Sequence, residues 1–146
     1  MIRKFNLNDI EKIIELEKDT LGTTLGETYL KDAYTNQFNF IYVYELNCNI
    51  VGYISYTFDE EIAEMLNFCV DKSMQNKGIG TELLNYTIKE FENLKGSSII
   101  LEVNSINDNA IKLYKKMGFK QISKRKAYYS DGNDALVLQK LLEGVI

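Results

Sequence analysis

The segment Gln75-Asn76-Lys77-Gly78-Ile79-Gly80 joins a short apolar run, residues 65–70, to an amphipathic stretch, residues 81–94. This order predicts a strand, a glycine loop and the start of a helix. In such a loop, free backbone N–H groups point toward one position, and the positive end of a helix dipole lies behind them. A phosphate can bind at that position. A Gly-x-Gly by itself favours a plain tight turn. Neither the Walker loop nor the third glycine of the dinucleotide fingerprint is present.

The patterns on both sides of this loop predict the order β α α β β β α β α β β. Strands are predicted at residues 2–5, 40–46, 50–58, 62–70, 99–103, 119–129 and 135–142. Helices are predicted after a capping box of Asn8 and Glu11, at residues 27–34 and 81–94, and from a cap at Asn107 or Asp108 to Met117. The unit from residue 62 to 103 requires a parallel crossover, whereas the hairpins are antiparallel. We therefore expect a mixed α/β or α+β sheet.

Length and composition indicate one domain with one core, spanning residues 1–146. Hydrophobic residues make up 45% of the chain and charged residues 26%. The net charge of −4 argues against a general nucleic-acid binder, whose surface is basic. No apolar run approaches the ~20 residues of a membrane span, and no signal-peptide core is visible, so we expect a cytoplasmic protein.

The sequence contains no histidine, which excludes several chemistries. A Ser-His-Asp triad, a Cys-His pair and a His-ligated metal are impossible, and we expect no metal site. Proton transfer at neutral pH must use Glu, Asp, Tyr, Lys, Cys or water. The two cysteines do not form a disulfide framework; Cys69 lies in an apolar strand and is predicted to be a small core residue, whereas Cys48 lies in a turn.

Two blocks in the correct order resemble the GNAT superfamily of acetyl-CoA-dependent N-acetyltransferases. The first is the stretch from Val70 to Gly80, which is similar to that family's loop Gln/Arg-x-x-Gly-x-Gly/Ala after a strand that ends in valine. A proline is common in the family where this chain has Lys72. The second block is a strand that contains Glu102, followed by Ala-x-x-Leu-Tyr-x-x-x-Gly-Phe over residues 110–119. The resemblance implies a GNAT-type mixed seven-stranded sheet flanked by about four helices.

The same resemblance implies a set of site residues. Acetyl-CoA is the implied cosubstrate, with Glu102 as the general base and Tyr114 as the general acid; Glu64 is the reserve candidate for the base. Backbone groups on the strand would bind the acetyl carbonyl, the glycine loop would hold the pyrophosphate, and one asparagine would contact the coenzyme arm. These cofactor-binding residues are, in order, Phe68, Cys69, Val70, Gln75, Asn76, Lys77, Gly78, Ile79, Gly80, Thr81 and Asn107.

A third block resembles one group within the superfamily, the ribosomal-protein-alanine N-acetyltransferases, or RimI group. It contains the paired tyrosines Tyr128-Tyr129 before Asp131-Gly132, and in the group such tyrosines line the peptide side. The implied partner is a protein N-terminus, that of ribosomal protein S18. The group usually carries a Pro-Trp pair before its second helix, where this chain has Thr-Thr-Leu-Gly-Glu over residues 23–27, and this difference bears on peptide specificity.

Two other functions remain open on the sequence. A related acetyltransferase could act on a polyamine, an antibiotic amine or a lysine side chain, whose ε-amine, with a pKa near 10.4, needs more help to lose its proton. A non-catalytic acyl-CoA sensor could keep the same fold. The presence of both Glu102 and Tyr114 counts against a sensor.

Overall fold

The computed structural model describes residues 1–143, and it has the predicted order of elements. The strands are β1 (Ile2–Lys4), β2 (Asn39–Leu46), β3 (Asn49–Phe58), β4 (Ile62–Val70), β5 (Ser98–Asn104), β6 (Lys120–Arg125) and β7 (Ala135–Leu141). The α-helices are α1 (Ile10–Leu21), α2 (Glu27–Thr35), α3 (Ile79–Asn93) and α4 (Asp108–Lys116). Within residues 1–143, no helix is both long and apolar enough to cross a membrane.

The seven strands form one mixed sheet in the order β1-β2-β3-β4-β5-β7-β6, which confirms the predicted fold class. The crossover pair β4 and β5 is parallel, with Ile62 opposite Ser98. The β2–β3 hairpin is antiparallel, and its turn residues Asn47 and Cys48 have φ values of 50° and 66°. Two successive positive φ angles match the twist of a hairpin, which is why an asparagine fits the first position.

One compact unit of the chain contains residues 1–58 and 66–87. Its core is assembled from the apolar face of α1, from α2 and from the inward positions of β2 and β3. Helical spacing places Ile10, Ile13 and Leu16 on one face of α1, and each is at most 4% exposed. The burial of this face provides most of the stability of a helix of only 12 residues.

A second compact unit contains residues 59–65 and 88–143. Alternate residues of β5 are buried, and these are Ile99, Leu101 and Val103. The other face of β5, which carries Glu102, is only half-buried. β5 therefore shows the alternation of a half-exposed strand.

Two local predictions need correction. The capping box is formed by Asn6 and Asp9: the Asn6 side chain accepts from the Asn8 N–H at 3.0 Å, and the Asp9 carboxylate accepts from the Asn6 N–H at 2.8 Å. A 3₁₀ turn therefore precedes α1. The strand predicted over residues 119–129 stops at Arg125, because Ala127 adopts a φ of 49° and its N–H binds the side chain of Asp134.

Asp9 supplies a pH-dependent part of the stability. Its carboxylate is 8% exposed and accepts from Arg3 at 2.8 and 3.0 Å as well as from the Asn6 N–H. Burial acts to raise the pKa of Asp9, but the hydrogen bonds from Arg3 and Asn6 outweigh it and hold the pKa below 3.8. A lowered folded-state pKa contributes stability above the unfolded pKa of about 3.9, and this contribution is lost as the pH falls through the folded value.

We expect Asp9→Asn to reduce the free energy of unfolding by roughly 1.5–3 kcal/mol at pH 7, because charge-assisted hydrogen bonds are lost. In urea unfolding, the difference from the wild type should shrink as the pH falls below about 4. Asp19→Asn, an exposed position on α1, is the matched control and should change little at either pH. A difference that stays constant down to pH 2 would show that the Asp9 charge is not involved.

Candidate active site

Glu102 projects from the half-buried face of β5. Its side chain is 28% exposed, but the Oε2 atom itself is buried. The Nε atom of Arg125 lies 3.3 Å from Oε2, which makes an ion pair. Among the described residues, Oε2 has no hydrogen-bond partner. The carboxylate therefore has a charge partner in Arg125, although its buried oxygen makes no hydrogen bond.

Arg125 reaches Glu102 because β7 lies between β5 and β6. Asn104 on β5 and Arg125 on β6 both face Ala135 on β7, so Arg125 stands diagonally across from Glu102. The Arg125 side chain is 58% exposed, and its guanidinium carbon lies 5.6 Å from the centre of the Tyr128 ring. This distance allows a cation–π interaction.

The turn after β6 is tied to the end of β5. Asp131 accepts from the Asn104 side-chain amide at 3.0 Å, and the Ser105 N–H donates to the Asp134 carbonyl at 2.9 Å. The rings of Tyr128 and Tyr129 meet edge to face with centroids 5.2 Å apart. The paired tyrosines are therefore positioned beside the strand that carries the glutamate.

Tyr114 lies on α4 and is 7% exposed. Its ring packs edge to face against Phe119 at 5.7 Å, and its hydroxyl donates to the Met65 sulfur at 3.7 Å. Burial, with a smaller contribution from Tyr129, raises the pKa of Tyr114 well above 10. The hydroxyl consequently remains protonated throughout the neutral range and could act as a proton donor.

Tyr129 lies in the turn that follows β6. Burial raises the pKa of Tyr129, and the negative charge of Glu102 raises it further. Tyr129 in turn makes a small contribution to the raised pKa of Tyr114. Glu64, the reserve candidate, is an exposed residue of β4 opposite Ile100.

The predicted phosphate loop follows β4. The Asp71 side chain accepts from the N–H and the hydroxyl of Ser73 at 2.9 and 2.7 Å, and the Gln75 amide donates to the Val70 carbonyl at 3.0 Å. Asn76 has a φ of 62° and Gly78 a φ of 85°. A Cβ at Gly78 would meet no atom within 4 Å. Glycine is therefore favoured here by the positive φ angle and not by lack of space for a side chain.

The helix after this loop begins at Ile79, two residues before the predicted start. Thus Ile79, Gly80 and Thr81 belong to the first turn of α3, whose N–H groups have no carbonyl partner within the helix. Unpaired N–H groups at a helix start can bind a phosphate.

The remaining predicted binding residues occupy β4 and the start of α4. Cys69 is buried, and burial raises the pKa of its thiol to about 12, which confirms a small core residue without reactivity. Phe68 and Val70, on either side of it, are half-buried. Asn107, one of the two predicted candidates, caps α4 by accepting from the Ala110 N–H at 3.3 Å. Within residues 1–143, no three Cys, Asp or Glu side chains form a group that could hold a metal ion.

A buried carboxylate that the sequence interpretation did not single out is Glu17, which is 0% exposed. It accepts hydrogen bonds from the Tyr53 hydroxyl, the Asn67 amide, the Thr24 hydroxyl and the Leu25 N–H. The network ties α1 to the connection between α1 and α2 and to two strands. A sequence signal was present, because Glu17 follows the helical spacing of the apolar residues of α1.

The comparison with family models places this geometry in a known family. A model of the acetyltransferase (GNAT) family matches residues 7–119, so the chain belongs to the GNAT family of N-acetyltransferases. The family uses acetyl-CoA as the acetyl donor. The predicted family and fold are confirmed.

Relatives and a solved structure extend this result. The chain is 27% identical over 150 residues to an N-alpha-acetyltransferase of Sulfurisphaera tokodaii, covering 94% of this chain and 90% of that protein. It is 33% identical over 128 residues to a ribosomal protein bS18 alanine N-acetyltransferase of Haemophilus ducreyi, covering 87% and 81%. The crystal structure of the ribosomal-protein-S18-alanine N-acetyltransferase of Escherichia coli superposes with a TM-score of 0.90 at 23% identity, covering 97% and 93%, which shows a shared fold.

Proposed function

We propose that this chain transfers the acetyl group of acetyl-CoA to the α-amine at a protein N-terminus. The observation that carries the proposal is that one compact unit contains both a half-buried carboxylate, Glu102, and a buried, protonated hydroxyl, Tyr114. These two groups supply the base and the acid that the transfer needs. Relatives named for α-amine and for ribosomal-protein-alanine acetylation support this substrate class.

Acetyl-CoA would be held first by its pyrophosphate, in the loop from Gln75 to Thr81. The positive φ of Gly78 and the helix start at Ile79 support this assignment, because they direct backbone N–H groups outward. Backbone N–H groups near Phe68 and Val70 would bind the acetyl carbonyl as an oxyanion hole. Asn107 would contact the coenzyme arm.

The chemical step moves two protons. Glu102, directly or through a water molecule, takes a proton from the acceptor amine as its nitrogen attacks the thioester carbonyl carbon. A C–N bond forms and the C–S bond breaks, and Tyr114 gives its hydroxyl proton to the departing sulfur. Glu64 would be a poor base in comparison, because it is exposed.

An α-amine suits a single carboxylate base. With a pKa of about 7.7–8.0, roughly a tenth of it is already neutral at pH 7, whereas a lysine ε-amine near 10.4 is almost entirely charged. We further propose the N-terminal alanine of ribosomal protein S18 as the acceptor. The paired tyrosines Tyr128 and Tyr129 on their anchored turn support a peptide acceptor.

The connection between α1 and α2 lacks the Pro-Trp pair of the RimI group, but it is held in another way. Glu17 binds the Thr24 hydroxyl and the Leu25 N–H, and the Gly26 N–H donates to Thr24 at 3.0 Å. We infer that these hydrogen bonds restrict the backbone of the connection, as a proline would.

We expect acetylation of a peptide that carries the S18 N-terminus, and none of the same peptide with its α-amine blocked. Release of free coenzyme A measures turnover, and mass spectrometry locates the acetyl group. A third peptide, with a blocked N-terminus and an internal lysine, tests ε-amine transfer. Modification at the lysine would replace the α-amine proposal, and acetyl-CoA binding without turnover on any peptide would favour a small-molecule acceptor or a sensor.

A further inference from the structure

The charges of this chain are unevenly distributed. Residues 107–126, which contain α4 and β6, carry seven of the 17 basic residues but only one of the 21 acidic residues, Asp108. The rest of the chain is therefore more acidic than the net charge of −4 indicates. All seven basic side chains are exposed, and we call them the basic strip: Lys112, Lys115, Lys116, Lys120, Lys124, Arg125 and Lys126.

Three lysines of the basic strip lie on the exposed side of α4. Lys112 and Lys116 are four residues apart, which places them on one side of the helix, and Lys115 lies next to them. Tyr114, midway between Lys112 and Lys116, is buried on the other side. The exposed positions of the helix also include Asp108 and Asn109, and none of them is apolar. The helix therefore presents a polar and mainly cationic side to solvent.

The basic strip continues along β6, the edge strand of the sheet. All six residues of β6 are exposed, and at ~3.3 Å per residue the strand extends about 17 Å from Lys120 to Arg125. Only residues 117–119 separate α4 from β6. Lys140 of β7 adds a cation at this junction, because a Cβ on Gly118 would lie 2.7 Å from the Lys140 Nζ atom. The helix and the strand thus form one extended cationic surface.

Most charges of the basic strip are not neutralised by the fold. Within residues 1–143, two members of the strip form ion pairs, Lys124 with Asp134 at 3.7 Å and Arg125 with Glu102 at 3.3 Å. The two lysines in the last turn of α4 interact favourably with the helix dipole, but this does not account for the remaining three. Neighbouring like charges repel and reduce stability. An anion bound along the strip would relieve this repulsion.

The chemistry of the basic strip favours a nucleic acid over other anionic partners. A helix that lies on a membrane needs a free apolar face, and the exposed positions of α4 provide none. A protein interface usually has an apolar core, whereas Ile122 is the one apolar side chain among the exposed positions of α4 and β6. Nucleic-acid interfaces are polar and strongly positive, and lysines bind the phosphate backbone without contacts to the bases.

We propose that the basic strip binds RNA through its phosphate backbone, without sequence specificity. The choice of RNA over DNA rests on the proposed function, because ribosomal proteins, the proposed acceptors, are bound to RNA. Binding along the strip would hold the enzyme close to such acceptors.

Fluorescence anisotropy with a labelled 20-nucleotide poly(U) RNA tests this proposal over a range of salt concentrations. We expect the wild type to bind at 50 mM salt with a Kd in the micromolar range, as for non-specific nucleic-acid binding. The triple variant Lys112→Gln/Lys116→Gln/Lys120→Gln should bind about tenfold more weakly or worse. Its slope of log K against log salt should be smaller by about 2, because each phosphate contact to a single strand contributes about 0.7.

The matched control is Lys4→Gln/Lys18→Gln/Lys89→Gln, which removes the same charge from exposed positions outside the basic strip. Its RNA affinity should stay within about twofold of the wild type. An equal loss in the control would show that only the net charge matters, and this would overturn the inference. So would the absence of RNA binding at 50 mM salt, or tighter binding to phosphatidylserine vesicles, to polyglutamate or to single-stranded DNA of the same length.

Acetyl-CoA also carries phosphates, so the RNA titration is repeated with saturating acetyl-CoA. RNA affinity should not change; displacement of the RNA would place the coenzyme on the basic strip and overturn the inference. Failure of the proposed function is separate, because RNA binding is measured without an acceptor peptide. An enzyme that acetylates the peptide but binds no RNA would refute only the role of the strip. Unfolding midpoints from circular dichroism show whether both triple variants are folded.

Discussion

Replacing Tyr114 with phenylalanine should lower kcat by roughly 10²–10⁴-fold, the usual contribution of a general acid, while acetyl-CoA still binds. The substitution removes one oxygen and keeps the ring that packs against Phe119. Coenzyme A without a proton on its sulfur is a poor leaving group, so the loss should fall on the chemical step. Turnover measured by coenzyme A release, and affinity measured by calorimetry, separate the two effects.

The pH dependence provides a second check on Tyr114. Burial raises the pKa of its hydroxyl above the ordinary value of about 10, so the proton donor stays protonated beyond the pH range of most assays. Tyr114 should therefore cause no fall in kcat between pH 7 and pH 9.5. A basic limb in that range that disappears in Tyr114→Phe would contradict this protonation state.

Tyr34→Phe is the matched control, because Tyr34 is 48% exposed on α2 and has no part in the proposed chemistry. It should turn over at the wild-type rate. Glu102→Gln should show a loss of the same order as Tyr114→Phe, since it removes the proposed base. Unchanged turnover in Tyr114→Phe would remove the tyrosine from the mechanism and leave Glu102 to be tested separately.

The largest effect on stability is expected at Glu17. Glu17→Ala leaves the Tyr53 hydroxyl, the Asn67 amide, the Thr24 hydroxyl and the Leu25 N–H without their acceptor, and it opens a cavity in a fully buried site. Each unsatisfied buried donor costs about 1–3 kcal/mol, partly recovered by relaxation. We expect the free energy of unfolding to fall by roughly 3–5 kcal/mol, a large part of the total for a domain of this size.

Urea unfolding measures this loss as a lower midpoint, by roughly 2 M for a typical slope of about 2 kcal/mol per M. Glu15→Ala is the matched control: Glu15 lies on the same helix, is 62% exposed and pairs only loosely with Lys12 at 3.5 Å. That variant should lose no more than about 0.5 kcal/mol. A midpoint in Glu17→Ala equal to that of Glu15→Ala would show that the Glu17 network adds no net stability.

The order of elements was predictable because short-range signals specify it. The 3.6-residue spacing of Ile10 and Ile13, the turn at Asn47 and Cys48, and the cap at Asn107 each act over a few residues. The start of α1 was misassigned, because Asn6 and Asn8 are both good capping residues. The structure uses Asn6 with Asp9. Asp9 is also bound by Arg3, which lies outside the helix and which the local sequence pattern does not include.

Residues of the candidate site could be predicted from the sequence only where they belong to a recognisable motif. Glu102 and Tyr114 lie in a recognisable block, and both belong to the second compact unit. The partnership of Glu102 with Arg125 was not predictable. It depends on the insertion of β7 between β5 and β6, and on a register shift in β6 between Gln121 and Ser123. A one-residue change of register would turn Arg125 to the other face of the sheet.

The sequence by itself determined the family and the succession of strands and helices, since periodicity and capping are local properties. Only the tertiary structure decided which carboxylates are buried and what they contact. Glu17 and Glu15 are alike in a helical sequence, yet one is buried among four donors and the other is exposed. The difference arises because burial depends on strand pairing between residues distant in the chain. In the interior, where the dielectric constant is low, the interactions of a buried charge with its partners are stronger than at the surface.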